Sequence, residues 1–274
     1  MRVYFYYSTH SVKSQAKAES DTIGTMKILQ MNVWTGRMKG AIERFLREHD
    51  FDIICLQEAV WCDEQPAELE YFCSSVRQIQ EACGLPYCTK VSNWGVKMFN
   101  GGTVMDQGNV ILSRFPIVKD ETKLLHGDYL DSMIFEQGDD HAYFAQKVHL
   151  NNGLTVVNYH GYWLPNPIGD EETVRCMQQV ADWIREESGP VVMCGDLNVT
   201  AESPAMRTLD FMTDLTATNK VRTTLQNIKF IKDVACDHIL INDQIRANNL
   251  VVHDDLVSDH KTMSLDFDII SHDA

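Results

Sequence analysis

The side chains best suited to chemistry in this sequence stand where apolar, strand-like segments end or begin. Glu58 follows the apolar run Ile53–Leu56 with only Gln57 between them, and Asn32 ends the apolar segment before it. Further polar residues share this placement: His160, Asp196, Asn198, Asp237, Asp259 and His260. Because strand ends deliver side chains to the rim of a sheet, these residues are candidates for one site. Carboxylates and amides there can hold a cation, and imidazoles can donate or accept protons.

Each of these residues taken alone also has a structural interpretation. Asn32, Asp196 and Asn198 could organise turns or cap the helices that follow them. Glu58 could be a solvated strand end, and the two histidines could be hydrogen-bonded structural residues. The whole set at strand ends favours a functional site over eight separate structural roles.

Hydrophobic periodicity predicts about ten strands with helices between them. The strands are expected at Lys27–Val33, Asp52–Gln57, Val110–Phe115, 142–149, 154–160, Pro190–Cys194, Asp237–Ile241, Leu250–His253 and Thr262–Ile269. Helices are expected around Ile42, Phe45 and Leu46, along one continuous segment that carries Leu69, Phe72, Cys73, Val76 and Ile79, and at Asp170–Glu187. The step Asn152-Gly153 predicts an antiparallel hairpin. We therefore expect a mixed α+β layered sandwich rather than a purely parallel, doubly wound sheet.

The motifs that carry these residues resemble the endonuclease/exonuclease/phosphatase superfamily of metal-dependent phosphoesterases, which includes DNase I-like proteins. The resemblance covers Met26 to Ile269 and rests on M-N-V-W (31–34), L-Q-E-A (56–59), G-N-V-I-L-S-R-F-P-I (108–117), N-Y-H-G-Y-W (158–163), G-D-L-N (195–198), D-H-I-L-I (237–241) and S-D-H (258–260). The family fold that it implies is a four-layer α/β/β/α sandwich. Its two mixed, mainly antiparallel sheets are flanked by helices, and its active site lies at one edge of the packed sheets.

The resemblance implies a divalent metal ion, Mg²⁺ or in its place Mn²⁺. Magnesium prefers oxygen ligands and is usually held by one or two carboxylates, waters and substrate phosphate. Glu58 is the expected principal ligand, with Asn32 and Asp259 contributing directly or through water. A metal held there would polarise a phosphoryl oxygen and stabilise the leaving oxyanion.

The same resemblance implies hydrolysis by direct attack of water on phosphorus. Asp196 is expected to orient or deprotonate that water, and Asn198 to hydrogen-bond the phosphate. His260, with its ring held by Asp237, would bind a non-bridging oxygen or protonate the leaving group. His160 would add a second donor to the phosphate. No side chain becomes covalently attached to the substrate in these roles.

Weaker candidates for substrate binding lie beside the motifs, where core packing and solvated surface are competing explanations. The aromatic residues and the amide in this group are Trp34, Tyr162, Trp163 and Asn109. The cations best placed to meet an anionic substrate are Arg37, Lys39, Arg114, Arg222 and Lys261.

The charge balance limits the expected substrate. The chain has 24 basic and 39 acidic residues and a formal net charge of -15. Proteins that bind long nucleic acids usually meet the phosphates with clustered Lys and Arg, so this acidity disfavours a polynucleotide. We therefore expect a small or locally presented phosphate ester, with a nuclease acting on DNA or RNA as the alternative within the family.

The eight cysteines contain no C-x-x-C pair, which favours buried, reduced thiols in a cytoplasmic protein over a disulfide or zinc framework. No apolar stretch approaches the ~18 residues of a membrane span. We expect one catalytic domain over residues 26–270 and a leader or flexible extension over 1–25, with an edge strand at Val3–Tyr7 as the alternative. A monomer is expected.

Two other functional classes compete with this interpretation. A calcineurin-like dinuclear phosphoesterase also uses a G-D motif, but the sequence has no D-x-H near the N-terminus and no later G-N-H-[DE] or G-H-x-H motif, which that class would need. A catalytically inactive binding scaffold is the second alternative, and the presence of every ligand-type residue argues against it.

Overall fold

The computed structural model describes residues 24–64, 66–98, 103–133, 140–227 and 233–270. Its strands are β1 (Met26–Asn32), β2 (Ile53–Trp61), β3 (Tyr87–Lys97), β4 (Val104–Ser113), β5 (Ile117–His126), β6 (Tyr143–Leu150), β7 (Thr155–Tyr159), β8 (Val191–Asp196), β9 (Thr213–Asp214), β10 (Asp237–Ile241), β11 (Ile245–Val252) and β12 (Met263–Ile269). Its α-helices are α1 (Ala41–Glu48), α2 (Pro66–Phe72), α3 (Val76–Cys83), α4 (Glu171–Arg185) and α5 (Leu215–Thr218). Short 3-10 turns occur at Trp34–Gly36 and Pro204–Leu209.

The strands form two six-stranded sheets, in the orders β11-β12-β1-β2-β4-β3 and β5-β6-β7-β8-β10-β9. Each sheet contains one parallel pair, β1 with β2 and β7 with β8, and the other pairings between these strands are antiparallel. Parallel neighbours need a crossover connection, and here α1 and α4 lie in those connections. The parallel pairs bring the ends of β1, β2, β7 and β8 to the rim where β10 and β12 begin.

Three apolar interfaces hold the layers together. One lies between the two sheets and includes Ile28, Ile111 and Phe267. A second packs α1 and α3 on the outer face of the first sheet, and a third packs α4 on the outer face of the second. Burial of apolar surface in these three interfaces is the main stabilising contribution to such a stack. The fold is therefore the expected four-layer α/β/β/α sandwich.

The prediction of one continuous helix along the segment that carries Leu69 and Ile79 is wrong. The chain forms two helices there, α2 and α3, with Cys73–Ser75 between them. The hydroxyl of Ser75 accepts the backbone N–H of Gln78, so Ser75 caps a new helix start. The predicted hairpin is confirmed as β6 and β7.

Besides the two-residue β9, two strands were not predicted, β3 and β5, and each of these two forms an edge of its sheet. Both present many half-buried or exposed positions, and the middle of β5, Lys119–Lys123, contains no apolar residue. An edge strand with a solvated, charged face has a weak hydrophobic signal, which is why the pattern missed them.

All eight cysteines are free; six are buried, and Cys83 and Cys88 are partly exposed. No helix among the described residues has the length and apolar character needed to cross a membrane. The predicted leader and its alternative, a strand at Val3–Tyr7, lie outside the described residues except for Gly24 and Thr25.

Candidate active site

The two sheets meet at one rim through the side chain of Asn32. This residue ends β1, and its Nδ2 donates to Glu58 Oε1 at 3.1 Å and to Asp196 Oδ2 at 3.0 Å. Its Oδ1 accepts the backbone N–H of Trp34 at 3.0 Å, which orients the amide. Asn32 therefore joins a carboxylate of the first sheet to a carboxylate of the second.

Glu58 reaches this position because β2 is irregular there. The register of β2 against β4 shifts between Leu56 and Ala59, and Glu58 has a φ of 53°. A bulge redirects a side chain, and a positive φ at a non-glycine residue is a strained backbone state that clusters at functional sites. Among the described residues, the other non-glycine residues with positive φ are Trp34, Thr35, Asn198 and Lys220. Two of these four, Trp34 and Asn198, belong to the M-N-V-W and G-D-L-N motifs of the rim, and Thr35 directly follows the first.

A buried hydrogen-bonded chain lies beneath the rim. Gln30 Nε2 donates to Asp237 Oδ1 at 2.7 Å, and Asp237 Oδ2 lies 2.8 Å from His260 Nδ1. The hydroxyl of Thr224 accepts the backbone N–H of Asp237 at 3.2 Å. Asp237 is therefore held on both carboxylate oxygens, and it orients the ring of His260 as the sequence motifs implied.

Asp196 stands at the centre of the group. Its Oδ2 lies 3.6 Å from the Nε2 of His160 and 3.6 Å from the Nε2 of His260. The backbone N–H of Asn198 donates to Asp196 Oδ1 at 3.0 Å. Two imidazoles from different strands thus converge on one carboxylate that is only 1% exposed.

The electrostatics of this group favour an ionised Asp196 and a protonated His260. Burial alone would raise the pKa of the Asp196 carboxyl, but the charges of the two imidazoles and the hydrogen bond from Asn32 outweigh it and lower that pKa. Burial also opposes the charged form of His260, yet the carboxylates of Asp237 and Asp196 raise its pKa well above the usual range. Opposite charges within a few ångströms have this effect.

The loops that carry His160 and Asp196 are locked together by close backbone approach. Gly161 N–H donates to Asp196 O at 2.8 Å, and Asn198 Nδ2 donates to Gly161 O at 2.9 Å. A Cβ at Gly161 would lie 2.1 Å from the carbonyl oxygen of Leu197. Only glycine fits there, so the contact sets the spacing between the two loops.

The oxygen-rich part of the rim fits a hard divalent cation. Glu58 and Asp196 share one amide donor, and no Lys or Arg of the described chain forms an ion pair with either carboxylate. Two carboxylates held close together without a Lys or Arg partner match the ligands that Mg²⁺ prefers. Asn32 directs its N–H groups rather than its oxygen toward these carboxylates. This orientation does not fit direct coordination of the metal by Asn32.

Asp259, the third expected metal ligand, is buried directly before His260. Its Oδ1 accepts a hydrogen bond from the hydroxyl of Ser258 at 3.3 Å, and its backbone oxygen accepts from Gln226 at 2.8 Å. These bonds anchor the S-D-H segment, and a metal-ligand role for Asp259 stays a prediction.

The aromatic candidates lie beside this rim. Trp34 follows Asn32 closely, and the guanidinium of Arg37 lies 5.2 Å from the centre of its ring. Tyr162 contacts the rings of His126 and Tyr143, with centroid distances of 4.7 and 5.1 Å. Trp163 is 59% exposed and available to a ligand.

Two predicted substrate contacts are not supported by the structure. Arg114 lies at the opposite end of β2 from Glu58, where it bonds Asp52 and pairs with Asp50. Asn109 is fully buried between the sheets, and its Nδ2 donates to Phe144 O at 2.7 Å. Motif membership placed both residues in the site, but the register of β4 directs one to the far rim and the other into the core.

Among the remaining cations, three are engaged in local contacts rather than with the central group. Lys39 donates to Glu70 O, Arg222 pairs with Asp233, and Lys261 pairs with Asp254. Sequence reasoning also missed residues that support the site from below, namely Gln30, Thr224, and the bonded pair Gln57 and Asn158. Their only sequence signal is a polar residue inside an otherwise apolar or buried segment.

Comparisons with known proteins agree with this geometry. Residues 29–260 match the model of the Endonuclease/Exonuclease/phosphatase family. A sequence comparison with curated proteins gives no match.

Solved structures share the fold at low sequence identity. An endonuclease/exonuclease/phosphatase from Bacteroides vulgatus is 18% identical to this chain, with a TM-score of 0.63. The alignment covers 89% of this chain and 99% of the Bacteroides vulgatus chain. The mannosyl-6-phosphatase of Bacteroides thetaiotaomicron is 16% identical with a TM-score of 0.62, covering 88% and 99%. The catalytic domain of human Nocturnin, with a bound sulfate anion, is 14% identical with a TM-score of 0.60, covering 89% and 93%. With a family match across most of its length and this rim of carboxylates and imidazoles, the chain belongs to the Endonuclease/Exonuclease/phosphatase family.

Proposed function

We propose that this protein is a phosphoesterase, dependent on Mg²⁺ or Mn²⁺, that hydrolyses a phosphodiester or phosphomonoester by direct attack of water. The observation that carries the proposal is the convergence of His160 and His260 on the ionised carboxylate of Asp196. That arrangement sets a base between two imidazoles that can donate hydrogen bonds to a phosphate, which suits in-line hydrolysis of a phosphate ester.

Asp196 would orient the attacking water and take its proton. Its pKa is lowered, so it is ionised at neutral pH and ready to accept a hydrogen bond from water. His160 would donate to a non-bridging oxygen as negative charge builds on the phosphoryl group. The side-chain amide of Asn198 would also donate to a non-bridging oxygen. That amide now donates to Gly161 O, so a small rearrangement of its loop must come first.

His260 would act as the proton donor to the leaving oxygen or as a fixed positive charge beside it. The bond to Asp237 Oδ2 at 2.8 Å keeps the ring in place and favours the imidazolium. Glu58 would hold the metal ion, with Asn32 keeping that carboxylate in position. The bound metal would supply Lewis-acid polarisation of the phosphoryl oxygen.

A small or locally presented ester is the proposed substrate class. Many described Lys and Arg side chains are already paired with carboxylates, among them Arg77, Lys90, Lys147, Arg175, Arg222 and Lys261. Together with the net charge of -15, this leaves little positive surface for a long polyanion. The shared fold of the mannosyl-6-phosphatase supports a small ester without identifying it.

The test is a panel of substrates assayed with and without chelator. The panel contains a chromogenic diester, a chromogenic monoester, single- and double-stranded DNA, RNA, and soluble phospholipid and inositol head groups. We expect hydrolysis of a small ester that stops on chelation and returns with Mg²⁺ or Mn²⁺. Activity that survives chelation would contradict the mechanism, and preferred cleavage of the polymers would favour the nuclease alternative. Metal binding by calorimetry without turnover would favour an inactive scaffold.

A further inference from the structure

The catalytic rim contains a thiol that the proposed hydrolysis does not use. Cys236 directly precedes Asp237, is 6% exposed, and its Sγ lies 3.8 Å from Asp237 Oδ2. Ligand-type atoms of Cys236, Asp237, His260 and Asp196 all lie within 4.8 Å of one another. We call these four residues the thiol cluster.

The donors of the thiol cluster differ in kind from those around Glu58. Sulfur, imidazole nitrogen and carboxylate oxygen together form the ligand set of zinc, whereas Mg²⁺ prefers oxygen alone. Zinc bonds of ~2.0–2.3 Å require the donor atoms to approach by roughly 1 Å. Side-chain rotation of Cys236 and Asp196 would provide this, because the two residues come from adjacent ends of β10 and β8.

We propose that the thiol cluster is a second, inhibitory metal site that binds Zn²⁺ or a similar borderline-soft cation. On binding, the Cys236 thiol loses its proton and His260 loses the proton of the ring nitrogen that coordinates the metal. Both protons go to solvent, and no oxidation or reduction takes place. The cation then occupies His260 and Asp196, so neither can serve in hydrolysis.

A second group with a cysteine provides an internal comparison. His126, Glu172 and Cys176 also place their ligand-type atoms within 4.8 Å of one another. There, however, Arg175 donates to Glu172 and lies 3.7 Å from Cys176 Sγ, and His126 is paired with Asp140 as well as with Glu172. Cationic groups already neutralise that cluster, so it is a poor competitor for a divalent ion. In the thiol cluster, by contrast, the ion-pair partners of Asp196 and Asp237 within the described chain are histidines, with no Lys or Arg among them.

The binding test uses Co²⁺ as a spectroscopic probe on the metal-free full chain. A thiolate bound to cobalt gives a near-ultraviolet charge-transfer band, and we expect that band in the unmodified protein at one equivalent of Co²⁺. Cys236→Ser and Cys236→Ala should lose the band, whereas Cys176→Ser should keep it. Zn²⁺ should abolish the band, and an excess of Mg²⁺ should leave it. A band that persists in both Cys236 variants, or disappears in Cys176→Ser, would overturn the assignment.

The inhibition test rests on the proposed function, and the cobalt measurement does not. At saturating Mg²⁺, Zn²⁺ should inhibit hydrolysis, and Cys236→Ser should need at least about tenfold more Zn²⁺ for the same inhibition. Circular dichroism would verify that the variant is folded. Equal sensitivity of the folded variant and the unmodified protein would refute the inhibitory role. Absence of turnover on every substrate would refute the proposed function alone, because the cobalt band would still report on the thiol cluster.

Discussion

The chemistry of the site depends on the charges of Asp196 and His260, and few residues set those charges. Asn32 bonds two carboxylates at once, and Asp237 bonds the ring that faces Asp196. In a buried group each such contact acts at low dielectric and shifts protonation strongly. Single substitutions at these positions should therefore change pH and metal dependence more than they change the fold.

The first prediction concerns the pH profile of kcat/KM. The pKa of Asp196 is lowered, so activity should be lost on the acid side only when this carboxylate becomes protonated. The pKa of His260 is raised, so activity should fall on the alkaline side when the imidazolium loses its proton. Asp237→Asn removes a charge that favours the imidazolium, so the alkaline limb should move to lower pH. Asp214→Asn, which disrupts the separate pair with His238, should leave that limb in place. An unchanged limb in Asp237→Asn would show that this dyad does not set it.

The second prediction concerns Asn32. Asn32→Ala leaves Glu58 and Asp196 without their shared donor, so the metal-binding carboxylate loses its orientation. Loss of such a supporting bond typically weakens metal affinity by about 10- to 100-fold. The Mg²⁺ concentration for half-maximal activity should rise accordingly. An unchanged metal requirement would mean that Asn32 does not hold the metal ligand.

Most of the central group could be predicted because its members end strands in recognisable motifs. Glu58, Asp196 and His260 were identified this way. Gln30 and Thr224 could not be, because their roles depend on which strands face each other across the two sheets. The prediction that Asn109 and Arg114 contact the substrate is not supported for a related reason. A motif does not reveal toward which part of the fold each side chain points.

At the scale of elements, the site depends on the spacing between the β7 and β8 loops. Gly161 and Leu197 are in backbone contact there, and the residues on either side carry the imidazole and the carboxylate. Elements with a strong apolar core signal, such as β1, β10 and α4, were predictable. The break between α2 and α3 was not, because a cap at Ser75 overrides a hydrophobic stripe that runs across both helices.

The third prediction tests that spacing. Gly161→Ala places a Cβ 2.1 Å from the Leu197 carbonyl oxygen, and the backbone must shift to relieve the clash. Overpacking of this kind costs about 1–3 kcal/mol of the free energy of unfolding. Chemical denaturation should show that loss, with a larger relative loss of activity. Gly189→Ala is the matched control, because its nearest neighbouring atom would be 3.6 Å away. Equal stability of the two variants would contradict the account of the loop contact.

At the scale of the whole molecule, the net charge of -15 acts on every approaching substrate. The acidic residues of the rim account for part of this charge, and the rest gives the molecule as a whole a negative field. Such a field slows the association of a polyanion, and salt screens it. The expected preference for a small substrate thus follows from the charge of the whole surface as well as from the rim.

The fourth prediction follows from this field. Cleavage of an oligonucleotide, where it is detectable, should speed up or stay constant as ionic strength rises, because screening weakens repulsion. Hydrolysis of a small chromogenic ester should change less. A rate on the oligonucleotide that falls steeply with salt would instead indicate Lys and Arg contacts to phosphates and would contradict the proposed substrate class.

The most direct measurement of the central claim is the turnover number of Asp196→Asn at saturating Mg²⁺ and small ester. Asp182→Asn, an exposed carboxylate on α4 that pairs with Arg185, is the control. A positioned base contributes about 10²- to 10⁴-fold, so Asp196→Asn should lose activity by that factor while Asp182→Asn keeps it. A folded Asp196→Asn variant with the turnover number of the control would contradict the assignment of Asp196 as the group that activates water.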